Sequence, residues 1–291
     1  MVLAAGATVE AQDLEPRAYA NTPVGLNFLL LGYGYQTGEV AFDPSTPIED
    51  GELTAHGAFL AYARALNVWD RAGKLDVVLP YAWVSGTASV AGEPRDREVS
   101  GLGDPRLRFS VLLYGAPALS LEEFADYTPG FIVGASLAVT APLSQYDRGR
   151  LVNVGTNRWS VKPELGVSKT LGPWTLELST SVTFYTDNDD FLDGRTLERE
   201  PLYAVQAHVI YHTRLGIWAA IDGTYYAGGR AVIDGEPGPR PENFRLGVTI
   251  AIPVDRRNSV KLYGSTGAIS RVGGDFDTVG VAWQYRWGGG F

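Results

Sequence analysis

The sequence predicts an all-β fold, a transmembrane antiparallel up-and-down β-barrel of about twelve strands, on three observations. First, apolar and polar residues alternate with a period of two along many short segments, because successive residues of a strand face opposite sides of a sheet. Second, hydrophobic residues make up 45% of the 291 residues, yet no stretch approaches the roughly 18 apolar residues of a membrane helix. Third, 35 glycines and 15 tyrosines indicate turn-rich β structure.

The segment at the carboxyl end shows what distinguishes the two faces. One face is apolar and ends in aromatic residues, namely Val279, Val281, Trp283, Tyr285 and Trp287. The other face is small or polar, namely Thr278, Gly280, Ala282, Gln284 and Arg286. Aromatic rings near the ends of an apolar face suit a lipid–water interface, and small polar residues suit a wet lumen better than a packed core. The pattern therefore favours a membrane barrel over a soluble sandwich.

About twelve segments follow this pattern, at 24–36, 55–68, 74–86, 104–114, 129–141, 158–169, 173–186, 201–213, 216–227, 242–253, 259–269 and 276–287. Long connections alternate with short turns and cover about 37–54, 87–103, 142–157, 187–200 and 228–241. Long loops at one end and an even strand number are typical of outer-membrane barrels, with both termini in the periplasm. One connection differs: 115–128 is long on the short-turn side, and Leu119 to Tyr127 could form a short helix there.

The two ends of the sheet must pair with each other if the chain spans a membrane. Each unpaired backbone amide or carbonyl in hydrocarbon costs several kcal/mol, so a spanning sheet cannot have edges. We therefore expect the first strand, Val24 to Gln36, to pair with the last, Phe276 to Trp287. Charged side chains such as Arg245 and Lys162 are costly towards lipid, so we expect the face that carries them to point inward.

We divide the chain into a tail, residues 1–20, and a barrel, residues 21–291. Within the tail, Val9-Glu10-Ala11 resembles the cleavage site of a secretory signal, and a disordered alanine-rich segment is the alternative. In either case we expect the tail to lie outside the fold.

The chain ends in aromatic residues of one parity, Trp283, Tyr285, Trp287 and Phe291. Such an ending is typical of the strand that the β-barrel assembly machinery recognises, so we expect that machinery as a partner. The apolar face predicts outer-membrane lipid as a second partner. Together these features predict an integral protein of the bacterial outer membrane.

Five stretches resemble a known family: Gly101-Leu102-Gly103-Asp104-Pro105, Leu113-Tyr114-Gly115-Ala116-Pro117-Ala118-Leu119-Ser120, Gly155-Thr156-Asn157-Arg158-Trp159-Ser160, Lys162-Pro163-Glu164 and Phe184-Tyr185-Thr186-Asp187-Asn188. With these stretches the chain is similar to the MetA-pathway of phenol degradation family, from about residue 20 to the end. The resemblance implies a transporter-like barrel of the outer membrane. About function it implies only an association with aromatic catabolism.

Polar and charged residues of the inward face are our candidates for lining the permeation path: Arg108, Lys162, Glu164, Glu177, Gln206, His208, Asp222, Arg245, Lys261, Gln284 and Arg286. Charges spaced around an open lumen would form a selectivity lining, whereas the same charges in ion pairs would fill a narrow barrel. Twelve strands lie between the filled eight-stranded and the open sixteen-stranded barrels, so both arrangements stay open, and we favour a narrow or gated passage. We expect Asp104 and Arg106 to form a structural pair at a strand mouth.

Lys162 and Glu164 illustrate the two arrangements. They lie two positions apart on the inward face, within a stretch that carries the resemblance. If the site is wet, replacing Glu164 by glutamine should shift ion selectivity with little effect on stability. A buried ion pair, in which the same change costs stability, is the alternative.

The sequence offers little for catalysis, metal binding or nucleic-acid binding. There are no cysteines, and the net charge of −9 argues against a nucleic-acid partner. His208 and His212 share a face but are about 13 Å apart, too far to share one metal ion. The segment Asp189 to Glu200 is only faintly like a calcium loop, since Phe191 stands where a ligand oxygen is needed. We therefore predict no enzyme activity, no cofactor and no metal.

Passive passage of a small solute, aromatic or hydrophobic, is the main hypothesis for function. An outer-membrane lipid-modifying enzyme is the first alternative, although no outward histidine stands beside an outward serine, and His56 has only Thr54 near it at an outer loop edge. A barrel that serves adhesion or envelope structure without transport is the second alternative.

Overall fold

The computed structural model describes residues 15–40, 48–90, 93–150, 152–192, 194–270 and 275–290. These residues form antiparallel strands in chain order: β1 (Leu26–Val40), β2 (Ile48–Val68), β3 (Arg71–Val90), β4 (Glu93–Leu102), β5 (Arg106–Tyr114), β6 (Phe131–Thr140), β7 (Ser160–Leu171), β8 (Trp174–Tyr185), β9 (Asn188–Phe191), β10 (Arg195–Arg199), β11 (Leu202–His212), β12 (Trp218–Gly228), β13 (Ala231–Ile233), β14 (Glu236–Pro237), β15 (Glu242–Pro253), β16 (Asn258–Ser270) and β17 (Asp275–Gly288). Among the described residues, no helix is long and apolar enough to cross a bilayer.

Twelve of these strands form one closed barrel, which confirms the predicted fold. Around the barrel the order is β1, β2, β3, β5, β6, β7, β8, β11, β12, β15, β16 and β17. β1 pairs with β17 from Leu26 opposite Gly288 to Glu39 opposite Asp275, so the first and last strands meet as predicted. Closure gives every barrel strand two neighbours and leaves no edge towards lipid.

The outward face of the barrel is apolar and exposed. Leucines and valines of alternate positions dominate it, such as Leu31, Leu178 and Val248, each more than half exposed. Trp283, Tyr285 and Trp287 lie in a row on β17, with successive ring planes only 20° and 21° apart. Phe291, the last residue of the predicted assembly signal, lies outside the described residues. An exposed apolar belt with an aromatic row is what a lipid-facing wall requires.

The strands β1, β2 and β3 extend further than predicted, and β4 lies within a segment predicted to be a loop. β2 has 21 residues and β3 has 20, so they include most of the regions expected to be the loops 37–54 and 87–103. These ends are rich in glycine, threonine and charged residues and lack an apolar face. Antiparallel partners satisfy each other's backbone groups in water as well as in lipid, so the ribbons continue where the apolar alternation stops.

Residues 103–105 separate β4 from β5, and both of these strands pair with β3. The Gly103 amide donates to the Pro80 carbonyl at 2.8 Å. The Asp104 carboxylate accepts hydrogen bonds from the amide and hydroxyl of both Ser144 and Thr156, at 2.6–3.2 Å. Asp104 therefore ties the 141–159 loop to the wall, instead of forming the expected pair with Arg106.

Two other long loops carry a small second sheet, which we call the outer lid (β9, β10, β13 and β14). Its core consists of Phe191, Leu197, Ala231 and Ile233. The sequence predicts loops for both segments, because each of these strands has only two to five residues and shows too little periodicity to be detected.

The 115–128 connection packs against the short-turn end of the barrel. The amides of Ala72 and Ala118 donate to the carbonyls of Ala116 and Asp70, both at 3.1 Å. A single 3-10 helix covers Glu123–Asp126, shorter than the helix allowed for by the sequence. The Glu123 carboxylate accepts hydrogen bonds from the Ser120 amide and hydroxyl, which lowers its pKa. The segment is thus built onto the rim of the barrel.

Replacing Gly115 by alanine tests this rim contact. Gly115 has φ 78°, and an added Cβ would overlap the carbonyl oxygen of Phe131. We expect the free energy of unfolding to fall by well over the ~1–2 kcal/mol that alanine in the left-handed region of backbone conformation costs by itself. The fall should appear as a lower urea midpoint for unfolding from detergent. Gly172→Ala is the control, because Gly172 has φ 59° with open space around it. Equal losses for both variants would contradict the overlap.

Candidate functional site

The lumen is occupied by residues 15–20, which we call the N-terminal plug. The plug turns twice, with the Ala18 amide donating to the Glu15 carbonyl and the Ala20 amide to the Arg17 carbonyl, both at 3.2 Å. These six residues were expected to lie outside the fold with the rest of the tail. They lie inside because their polar groups have partners on the inner barrel face, which a local sequence pattern cannot reveal.

Tyr19 is the centre of the N-terminal plug and is only 1% exposed. Its ring lies against Gly134 and Gly166, which face each other on β6 and β7. A Cβ at either glycine would overlap the ring, so this close approach requires both. The Tyr19 hydroxyl donates to Glu164 Oε1 at 2.7 Å.

Glu15 joins the plug to the basic residues of β5. Its carboxylate contacts Arg106 at 3.1 Å and forms a second ion pair with Arg108. Arg108 also reaches Glu164 at 3.3 Å, so one buried guanidinium bridges two carboxylates. Burial by itself would raise the pKa of the Glu15 carboxyl, but Arg108 and Arg106 outweigh burial and hold that pKa well below its usual range.

Arg17 contacts the opposite side of the lumen. Its backbone amide donates to Glu177 Oε2 at 2.7 Å, and its guanidinium lies 5.6 Å from the centre of the Trp218 ring. Burial lowers the pKa of Arg17. The N-terminal plug thus contacts β5, β6, β7, β8 and β12 through Glu15, Arg17 and Tyr19, and Ala18 packs against the apolar cluster around Tyr19.

A second polar network lies beside the plug. His208 Nδ1 and Asp222 Oδ1 are 2.7 Å apart, and the Thr249 hydroxyl donates to Asp222 Oδ2 at 2.9 Å. Gln206 and His208 line a cavity of about 10 Å³ together with Glu15 and Tyr19. That volume is enough for about one water molecule.

Basic and aromatic side chains meet towards the outer lid. Arg158 and Arg199 both lie on the Tyr185 ring, at 5.1 and 4.9 Å from its centre. Arg245 is 1% exposed, lies 3.8 Å from the centre of the Phe276 ring and donates to the Ser265 hydroxyl at 2.9 Å. Arg245, predicted from sequence to face inward, is therefore packed against the wall.

The predicted lumen residues divide into two groups by burial. Seven are buried, namely Arg108, Glu164, Glu177, Gln206, His208, Asp222 and Arg245. Four keep partial exposure, namely Lys162, Lys261, Gln284 and Arg286. Lys162 lies 4.0 Å from Glu164, and Lys261 lies 6.0 Å from the centre of the Tyr263 ring. Arg286 donates to the carbonyl of Arg256 at 2.7 Å and so belongs to the periplasmic rim.

We call the inward face of β5 to β15 the charged wall, because it carries all seven buried residues. The opposite inward face, on β1, β2 and β3, is the apolar wall, with Phe28, Leu30, Phe59, Val78 and Pro80. These five side chains are each partly exposed, although alternation points them inward. They are not among the lumen residues predicted from the sequence. A run such as Phe28-Leu29-Leu30-Leu31, apolar on both faces, is the signal that could have found them.

The alternative sites considered from sequence have structural partners instead. Glu200 contacts Arg230 at 3.6 Å, and Asp189 accepts a hydrogen bond from Thr196 at 3.2 Å. Asp193 lies outside the described residues. His56 faces outward and contacts the Tyr33 hydroxyl at 2.5 Å. Over the part of the chain that is described, no group of three or more histidines and acidic residues is placed to hold a metal ion.

Comparison with known proteins places this geometry in a wider group. A model of the family described as Putative MetA-pathway of phenol degradation matches residues 45–283. A solved outer membrane channel from Pseudomonas putida F1 is 24% identical, with a TM-score of 0.78 over 94% of this chain and 100% of that one. No curated protein sequence matches the chain.

Two further solved structures share the barrel at 9% identity. The transport unit of the autotransporter AIDA-I from Escherichia coli has a TM-score of 0.56 over 97% of this chain and 96% of its own. The NanC porin has a TM-score of 0.50 over 88% of this chain and 98% of its own. At these identities the similarity concerns the fold.

Replacing Arg108 by methionine tests whether the charged wall is held by buried ion pairs. The change leaves the Glu15 and Glu164 carboxylates without their shared guanidinium, and removing one partner of a buried pair costs about 3–5 kcal/mol. We expect that loss in the free energy of unfolding from lipid vesicles. Arg106→Met is the control and should cost less, because Arg106 is more exposed and contacts Glu15 alone among the carboxylates named here. Equal losses would contradict the bridging role.

Proposed function

Because this chain belongs to the family described as Putative MetA-pathway of phenol degradation and is an integral β-barrel of the bacterial outer membrane, we propose that it is a passive channel for small hydrophobic or aromatic molecules. Two of its structural relatives are an outer membrane channel and a porin. These relatives support a channel role in general, and the lumen of this chain supports the choice of solute.

The contrast between the two walls carries the proposal. The N-terminal plug contacts Arg108, Glu164 and Glu177 on the charged wall, which carries the seven buried lumen residues. The apolar wall keeps its Phe28, Leu30 and Phe59 side chains partly exposed. Exposed apolar surface inside a barrel is unfavourable in water unless it serves binding or passage. A solute of matching polarity would gain by lying against it.

The space beside the apolar wall also limits solute size. Gly57 lies on the inward face of β2, opposite Gly34 on β1, and a Cβ added at Gly57 meets no atom within 4 Å. Side chains fill the lumen of an eight-stranded barrel, and the plug occupies part of the larger lumen here. We therefore infer a passage for molecules of about one aromatic ring, bordered by the partly exposed Lys261 and Gln284.

Narrowing this space tests the proposal. Gly57→Trp places a large side chain next to the apolar wall, whereas Ala58→Trp, at the next position, points the same side chain towards lipid. We expect cells that produce Gly57→Trp to take up a one-ring aromatic probe, radiolabelled toluene, several-fold more slowly than cells that produce the unchanged barrel. Cells that produce Ala58→Trp should match the unchanged barrel.

Planar bilayer recordings provide the second measurement. The unchanged barrel should show discrete conductance, and Gly57→Trp should reduce it several-fold. The channel proposal would be overturned if no variant shows conductance and if cells with the barrel take up the probe no faster than cells without it. Equal effects of both tryptophan substitutions would overturn the passage along the apolar wall.

A further inference from the structure

We propose that the site holding Tyr19 is a binding site for free phenols, and that a phenolic solute opens the lumen by displacing the N-terminal plug. We call this site the Tyr19 socket; it consists of Leu112, Ile132, Gly134, Glu164 and Gly166. Binding to the socket is independent of transport, whereas the opening rests on the proposed channel function.

The shape of the Tyr19 socket fits a flat aromatic ring. Gly134 and Gly166 form its floor, and the ring lies directly against their backbone. Leu112 and Ile132 belong to the same buried cluster as Tyr19, together with two alanines of the rim. Glycine inside a strand weakens the strand, so two paired glycines at this point indicate that the close approach of a ring is needed there.

The polar end of the socket fits a phenolic hydroxyl. Glu164 Oε1 accepts the Tyr19 hydroxyl hydrogen bond at 2.7 Å, and Arg108 lies 3.3 Å from the same oxygen. A hydrogen bond to a carboxylate oxygen is stronger than one to a neutral acceptor. Beyond its Cβ, a tyrosine side chain is a phenol. A free phenol can therefore make the same ring and hydroxyl contacts.

The plug is attached in a way that allows exchange. Its root is fixed to the rim, where the Val24 amide donates to the Leu119 carbonyl at 2.8 Å and Asn21 donates to the Pro117 carbonyl at 3.2 Å. Within residues 15–20, Glu15, Arg17 and Tyr19 make polar contacts to the wall, and Ala18 packs against the apolar cluster around Tyr19. A segment tethered this way competes with a free ligand at an effective concentration on the order of millimolar. Displacement should therefore need millimolar phenol.

Removal of the Tyr19 ring tests the socket directly. Calorimetry on purified Tyr19→Ala should detect phenol binding, with weaker binding of toluene, which lacks the hydroxyl, and of cyclohexanol, which lacks the flat ring. Adding Glu164→Gln should weaken phenol binding more than toluene binding. Tyr263→Ala is the matched control, since it removes an inward tyrosine that lies against Gly280 at another place in the barrel. It should bind no phenol.

Conductance tests the displacement in the intact chain. Millimolar phenol should raise the conductance of the unchanged barrel towards that of Tyr19→Ala, and should leave Tyr19→Ala itself unaltered. Tyr19→Phe keeps the ring but loses the hydrogen bond to Glu164, so a lower phenol concentration should suffice. This variant also keeps the test decisive if Tyr19→Ala does not fold.

The phenol site would be overturned if phenol does not bind Tyr19→Ala. It would also be overturned if Tyr19→Phe does not respond to a lower phenol concentration than the unchanged barrel. Equal binding to Tyr263→Ala would overturn it as well. Phenol binding without conductance in any variant would support the socket and overturn the channel function. The two proposals therefore fail separately.

Discussion

The need to pair every backbone group within the membrane determines most of this structure. Because of this requirement β1 pairs with β17 and the twelve strands close into a ring. Each strand therefore presents one face to lipid and one to the lumen. The lipid face has to be apolar across the bilayer core, which leaves the buried charged residues, such as Arg108, Glu164 and Asp222, on the inner face. Buried charges need partners, and much of the inner architecture follows from this second requirement.

The N-terminal plug meets that requirement on the charged wall. Without the plug Arg108 would keep its ion pair with Glu164, and Glu15 supplies another. Glu177 likewise accepts the Arg17 amide, and Glu164 accepts the Tyr19 hydroxyl. On the apolar wall Lys74 and Asp76 pair with each other at 3.8 Å, and the apolar side chains such as Phe28, Leu30 and Phe59 need no partner and stay partly exposed. The asymmetry of the lumen therefore follows from where the charges lie along the chain.

The alternation of residues was enough to predict the barrel, its closure and the inward position of the charged residues, because period two is a local property of each strand. It could not predict the plug, since the partners of Tyr19 lie more than a hundred residues away at Glu164. Glu164 was assumed to be in a wet site for the same reason. Paired glycines such as Gly134 and Gly166 become informative only when the strand register is known.

The position of the N-terminal plug is the central claim, and disulfide formation tests it most directly because the chain has no cysteine of its own. Ala18 and Ser179 line the same small cavity, so cysteines at these two positions should crosslink on oxidation and hold conductance low until a reductant is added. A control pair at Ser179 and Gln206, which face each other on β8 and β11, should crosslink whatever the plug does. If both pairs form, the plug lies where we describe it. If the control pair forms and the Ala18 pair does not, the account is contradicted.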